Sequence, residues 1–170
     1  MKEIRLKAYS DGACSNNDNW IGGYAYTLYY EDTTDPRNYL RSGGECEFDT
    51  TNNIMEMKAF LGALQAFVEY TKDKDSQNKY TLTLYTDSAY IYNCLTQKWY
   101  VKWKQNGWVN SKKEPVKNRE LWEKILKYIL NYDNITYVKV KGHSTDKFNN
   151  YVDNLAVKNK MLGKEVNYGE

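Results

Sequence analysis

Four carboxylates, Asp11, Glu56, Asp87 and Asp153, stand in settings that suit metal ligands. Asp11 (in YSDG) and Asp87 (in YTDS) each follow a β-prone run, and in open α/β sheets ligands gather at the carboxyl ends of strands. Glu56 falls in the first turns of a predicted helix, and Asp153 near the start of the last one. Hydrolysis of a phosphodiester requires an activated water and neutralised charge on the leaving oxygen. Two Mg²⁺ ions about 3.5–4 Å apart supply both, and Mg²⁺ prefers carboxylate oxygen, water and phosphate to His or Cys cages. Acids crowded together repel and raise one another's pKa unless a cation intervenes. A cluster of such groups is costly without metal and useful with it.

Each acid also has an ordinary explanation. Asp11-Gly12 is common turn chemistry, and Asp87-Ser88 could cap the following helix. Glu56 could close a capping box with Asn53 (Asn53-x-x-Glu56), unless Thr50 or Thr51 is the cap. An acid at the position of Asp153 favours the helix dipole.

The elements that must position these groups follow from periodicity. Residues 4–10 alternate as a strand that Asp11-Gly12 would end, 22–30 are aromatic and β-prone, and 37–48 make a third strand. Short connections make these three an antiparallel meander. Ile54, Met57, Leu61, Leu64 and Val68 then fall at helical spacing over 54–70. A strand over 81–86, a short helix over 88–97, an amphipathic helix over 118–130, a strand over 135–141 and a last helix over 150–162 follow. The order β-β-β-α-β-α-α-β-α implies one α/β domain with a mixed sheet, over residues 1–163, with 164–170 a frayed tail.

The 170 residues suit a single domain, and 41% apolar content argues against disorder. No apolar run is long enough to span a bilayer, and the N-terminus lacks a signal-peptide core. An odd three cysteines with irregular spacing argue against a disulfide framework. The expectation is a soluble, cytoplasmic, monomeric protein with no membrane partner. Net charge is only +2, yet Lys98 to Arg119 hold seven Lys or Arg against the single acid Glu114. That asymmetry suits a polyanion.

The segments YSDGAC, TNNIMEMKA, YTDSAY, VKGHS and NNYVDNLA lie in the order, and at compatible spacing, of the signature segments of bacterial-type ribonuclease H type 1, which the chain resembles from Lys2 to about Leu162. The resemblance implies a ribonuclease H-like fold: a mixed five-stranded sheet, three strands antiparallel and then two parallel, flanked by helices. It implies an endonuclease that cuts the RNA strand of RNA–DNA hybrids, leaving 5′-phosphate and 3′-hydroxyl ends. Asp11, Glu56, Asp87 and Asp153 match the family's metal-binding catalytic acids. Asp11 would bridge two Mg²⁺ ions (with Mn²⁺ as a substitute), with Glu56 and Asp87 completing one site and Asp153 the other. His143, the only histidine, matches a loop histidine that aids proton transfer or product release.

The resemblance extends to substrate contacts. The stretch of about 98–119 is similar to the family's basic protrusion, where Trp99, Trp103, Lys104, Lys117 and Asn118 would meet the hybrid. Trp103 is the better contact candidate, whereas Trp108 and Trp122 are expected to pack. Asn52 and Asn53 match minor-groove contacts, and Thr51 and Asn118 positions near a DNA-strand phosphate. Asn17 matches within a loop that departs from the family's Gly/Pro-rich version. Ala89 stands where many relatives have Gln, and Gln105 and Asn106 replace basic residues, which implies weaker hybrid affinity. The initiating Met points to a free-standing enzyme rather than a domain of a reverse transcriptase. A DNA-cutting nuclease of the same fold and a non-catalytic hybrid-binding module are the other readings.

Overall fold

A computed structural model describes residues 2–15, 20–74, 77–142 and 145–168, without side chains for 166–168. Its elements are β1 (Lys2–Cys14), β2 (Gly22–Tyr30), β3 (Arg41–Glu47), α1 (Asn52–Thr71), β4 (Asn78–Thr86), α2 (Ala89–Thr96), α3 (Trp99–Gln105), α4 (Arg119–Asn131), β5 (Ile135–Lys139) and α5 (Lys147–Tyr168). The five strands form one sheet in the order β3-β2-β1-β4-β5. β1, β2 and β3 pair antiparallel, while β4 runs parallel to both β1 and β5. The expected mixed sheet is therefore the observed one.

Alternation along β1 sorts its side chains between two cores. Leu6 and Ala8 join a cluster with Met57, Phe60, Leu64 and Phe67 of α1 and Trp122, Ile125 and Leu126 of α4. Tyr9 faces the other way, into a cluster with Ala25 and Tyr29 of β2 and Phe148, Val152 and Ala156 of α5. Helices thus cover both faces of the sheet, and β1 lies at its centre.

Three expectations need correction. Asp11 does not end β1: the strand continues through Gly12, Ala13 and Cys14, which pair with Tyr24, Gly23 and Gly22. Ladder hydrogen bonds with β2 override the turn preference of Asp-Gly. The aromatic, basic stretch after Lys98 is helical as α3, entered through Lys98 at φ 55°, because packing of Tyr100 and the tryptophans against the core outweighs its weak helix pattern. Finally, α5 starts at Lys147 and runs to Tyr168, so residues 164–168 extend the helix instead of forming a tail. Its first turn is capped by Asp146, whose Oδ1 accepts from the N–H groups of Phe148 (2.9 Å) and Asn149 (3.2 Å).

Candidate active site

Asp11 lies on β1 in the centre of the sheet and is only 3% exposed. Glu56 reaches it from α1. The cap of that helix is Thr51, whose hydroxyl accepts from the Ile54 N–H at 3.1 Å. Glu56 is then the fifth residue of the helix, too far along for a capping box. Its carboxylate turns to β1 instead, and Oε1 accepts from the Gly12 N–H at 3.1 Å. The same N–H approaches Asp11 Oδ1 at 2.9 Å.

Gly12 makes this approach possible. A Cβ there would stand 2.5 Å from the Glu56 nitrogen and from the Met55 carbonyl carbon, both fixed backbone atoms. Only a residue without a side chain lets the start of α1 lie this close to β1. By its place after Asp11, Gly12 is expected to form a turn. Its steric role has no sequence signal beyond its place beside Asp11.

Asp87 follows the last residue of β4 and does not cap α2. That task falls to Ser88, whose Oγ accepts from the Ile91 N–H at 3.1 Å. Asp11, Glu56 and Asp87 each offer a carboxylate oxygen, and these lie within 4.8 Å of one another. Asp153, on α5, is not part of this tight trio, but its charge acts on both Asp11 and Asp87.

Burial and mutual repulsion perturb the trio. Burial is the largest cause raising Asp11, to about 8, and the charges of Asp87 and Asp153 add to it. Glu56 is held well above the usual carboxylate range by burial, then by the charges of Asp11 and Asp87. Asp87 is raised, chiefly by burial. Glu56 Oε2 is inaccessible and has no hydrogen-bond partner among the described residues. A buried carboxylate oxygen without a donor is costly, and a divalent cation would satisfy it. The donor set, all carboxylate oxygen, fits a hard cation such as Mg²⁺ or Mn²⁺.

The remaining expected residues are more dispersed. His143 and Asn17 lie outside the described residues. Gly142 borders the trio: a Cβ there would be 3.5 Å from Asp87 Oδ2. Thr51, Asn52 and Asn53 are exposed at the start of α1, although the Thr51 hydroxyl is engaged in capping. Lys104 and Lys117 are exposed, as are Gln105 and Asn106, and Asn118 holds a φ of 62° just before α4. Trp122 is fully buried and Trp108 8% exposed. Trp103 is half-buried between them, its ring 6.0 Å from Trp122 and 5.9 Å from Trp108. Trp99 adjoins Trp103 at 6.3 Å. Trp103 is thus the centre of a tryptophan cluster more than a projecting contact. Ala89 opens α2.

A sequence profile of the RNase H family matches residues 3–160. The chain belongs to the ribonuclease H family. Ribonuclease H of Caldicellulosiruptor saccharolyticus is 42% identical over 156 residues, covering 92% of this chain and 94% of that protein. Ribonuclease H of Clostridium botulinum is 42% identical over 159 residues, with the same coverage. Among solved structures, LC11-RNase H1 in complex with RNA/DNA hybrid shares the fold at a TM-score of 0.64 and 19% identity, covering 93% of this chain and 98% of that one. This ribonuclease H is a nuclease with an acidic cluster suited to a metal, and no helix among its described residues is long and apolar enough to cross a membrane.

Proposed function

We propose that this ribonuclease H cuts the RNA strand of RNA–DNA hybrids at the cluster of Asp11, Glu56 and Asp87, with Asp153 beside it, and leaves 5′-phosphate and 3′-hydroxyl ends. The observation that carries the reading is the convergence of three carboxylates within 4.8 Å, with a buried Glu56 oxygen that has no partner among the described residues. Asp11, Glu56, Asp87 and Asp153 would hold two divalent ions, Mg²⁺ or Mn²⁺ in its place. Bound divalent metal supplies Lewis acidity, a lowered pKa for water and neutralisation of the leaving oxygen.

The chain's own groups supply position. The Gly12 N–H fixes Glu56 Oε1, and Oε2 is buried. Asn52 and Asn53 project from the exposed start of α1, where they would donate to the minor groove. The 2′-hydroxyl read there distinguishes RNA from DNA. Lys104 and Lys117 would neutralise phosphates of the DNA strand, giving salt-dependent affinity, with Trp99, Trp103 and Asn118 lining the same protrusion and Thr51 near a phosphate. Asn17, matched by sequence alone, would also contact the hybrid. His143, next in sequence to Gly142, would serve proton transfer or product release. The enzyme would act as a monomer, its catalytic domain running through α5.

End-labelled hybrid, all-RNA and all-DNA duplexes, each incubated with Mg²⁺ and with EDTA, test the reading. Cleavage of RNA in the hybrid alone, lost on chelation and in Asp11→Asn, is expected. Equal cutting of the all-DNA duplex would sink the substrate assignment, and cutting in EDTA the metal assignment.

A further inference from the structure

The three elements β1, β4 and α5, which carry Asp11, Asp87 and Asp153, are joined by one aromatic stack. Tyr9 and Tyr85 are register partners on the parallel pair β1 and β4. Each precedes an acid by two residues. Their rings stack at 4.6 Å, inclined by only 9°. Phe148, in the first turn of α5, stacks on Tyr9 at 5.3 Å and 17°. Tyr29, fully buried, meets Phe148 edge-on at 4.9 Å. The Lys7 ammonium lies 3.9 Å from the Phe148 centroid and donates to the Thr33 carbonyl at 3.0 Å.

We propose that the Tyr85–Tyr9–Phe148 stack is the positioning device of the acidic site, setting Asp153 against Asp11 and Asp87. The proposal rests on reading the acids as metal ligands. Stacked rings define both a spacing and an angle, whereas aliphatic side chains of similar volume fill space without fixing orientation. Phe148 precedes Asp153 by five residues, about 7.5 Å along a helix, so a tilt of α5 at Phe148 displaces the carboxylate. Beyond Asp153 the helix is held a second time, where the backbone of Ala156 and Lys160 lies so close to Gly23 that a Cβ would collide. Asp153 therefore sits between two fixed points. Asp11 and Asp87 inherit their relative height from the Tyr9–Tyr85 pair.

Isothermal titration with Mn²⁺, together with kcat and KM on a labelled hybrid and thermal melting, tests this in the full chain. Phe148→Leu and the gentler Tyr85→Leu, at a half-buried position, are expected to weaken Mn²⁺ binding by about tenfold or more. kcat should fall in step and KM for the hybrid should not change. Tyr9→Phe, which keeps the ring, should bind Mn²⁺ like the wild type. Phe67→Leu, in the opposite core at 2% exposure, should lower Tm but leave Mn²⁺ affinity intact. Wild-type Mn²⁺ affinity in both Phe148→Leu and Tyr85→Leu would overturn the proposal, as would an equal loss in Phe67→Leu. A wild-type chain that binds no Mn²⁺ would instead overturn the reading of the acids, and the proposal with it.

Discussion

Gly12→Ala adds a single methyl group, and the structure says where it goes. The new Cβ would be 2.5 Å from the Glu56 nitrogen, 2.5 Å from the Met55 carbonyl carbon and 2.7 Å from the Met55 Cβ. Ordinary contact begins near 3.4 Å, so strand and helix must part by about 1 Å. Neither side yields easily. Gly12 is paired with Tyr24 in the ladder, and Met55 is fully buried. Overpacking of this kind costs about 1–3 kcal/mol, or about 2–4 °C in Tm per kcal/mol for a domain of this size. The effect on activity should be larger. The same displacement stretches the 3.1 Å bond from the Gly12 N–H to Glu56 Oε1 and draws Glu56 away from Asp11. A misplacement near 1 Å at a catalytic centre costs about 100-fold. Thermal melting and hybrid-cleavage kinetics on the same preparation measure both effects. A variant with wild-type kcat and Tm would refute the argument that backbone proximity at Gly12 builds the site.

Three further outcomes are expected. A carboxylate whose folded-state pKa is raised stabilises the fold least when ionised, so metal-free protein should lose stability as pH climbs from the ordinary Asp value of 3.8 to about 8. Tm in EDTA should fall across that window. Mg²⁺ at pH 8 or Asp11→Asn should recover it, and an Asp11→Asn variant as pH-sensitive as the wild type would contradict the cluster's electrostatics. Trp122→Ala, at a fully buried site where the indole donates to the Tyr90 hydroxyl at 3.0 Å, should cost about 3–5 kcal/mol in a urea titration. Thr51→Ala removes the α1 cap and should cost about 1 kcal/mol; a neutral result would show that another group satisfies the Ile54 N–H.

Much of this arrangement is legible in the amino-acid order, for particular reasons. The alternation of β1 and the apolar spacing of α1 mark them as strand and helix, because each buries a face. That spacing understates how deeply α1 is buried. Met55, Ala59 and Phe67 are enclosed as well, since the sheet and α4 cover different sides of the helix. The acids are separately ambiguous, and three-dimensional detail resolves them. Capping by Thr51 frees Glu56, capping by Ser88 frees Asp87, and continued pairing of β1 places Asp11 mid-strand. What local pattern could not reveal depends on distant packing: the helical state of α3, the contact of Gly12 with α1, and an aromatic stack assembled from residues as far apart as Tyr9 and Phe148.

Parallel pairing of β1 with β4, with α5 laid across β1 and β2, also dictates an order of assembly. Synthesis delivers the N-terminal portion first, at roughly 5–20 residues per second, so α5 follows β4 by several seconds. Until it docks, the face of the sheet bearing Tyr9, Ala25 and Tyr29 has no cover, and Asp153 is absent from the neighbourhood of Asp11. If Asp153 serves the site as proposed, the nascent chain is sticky and inactive during the same interval, and one docking event ends both conditions. Onset of cleavage can thus serve as a clock for completion of the fold.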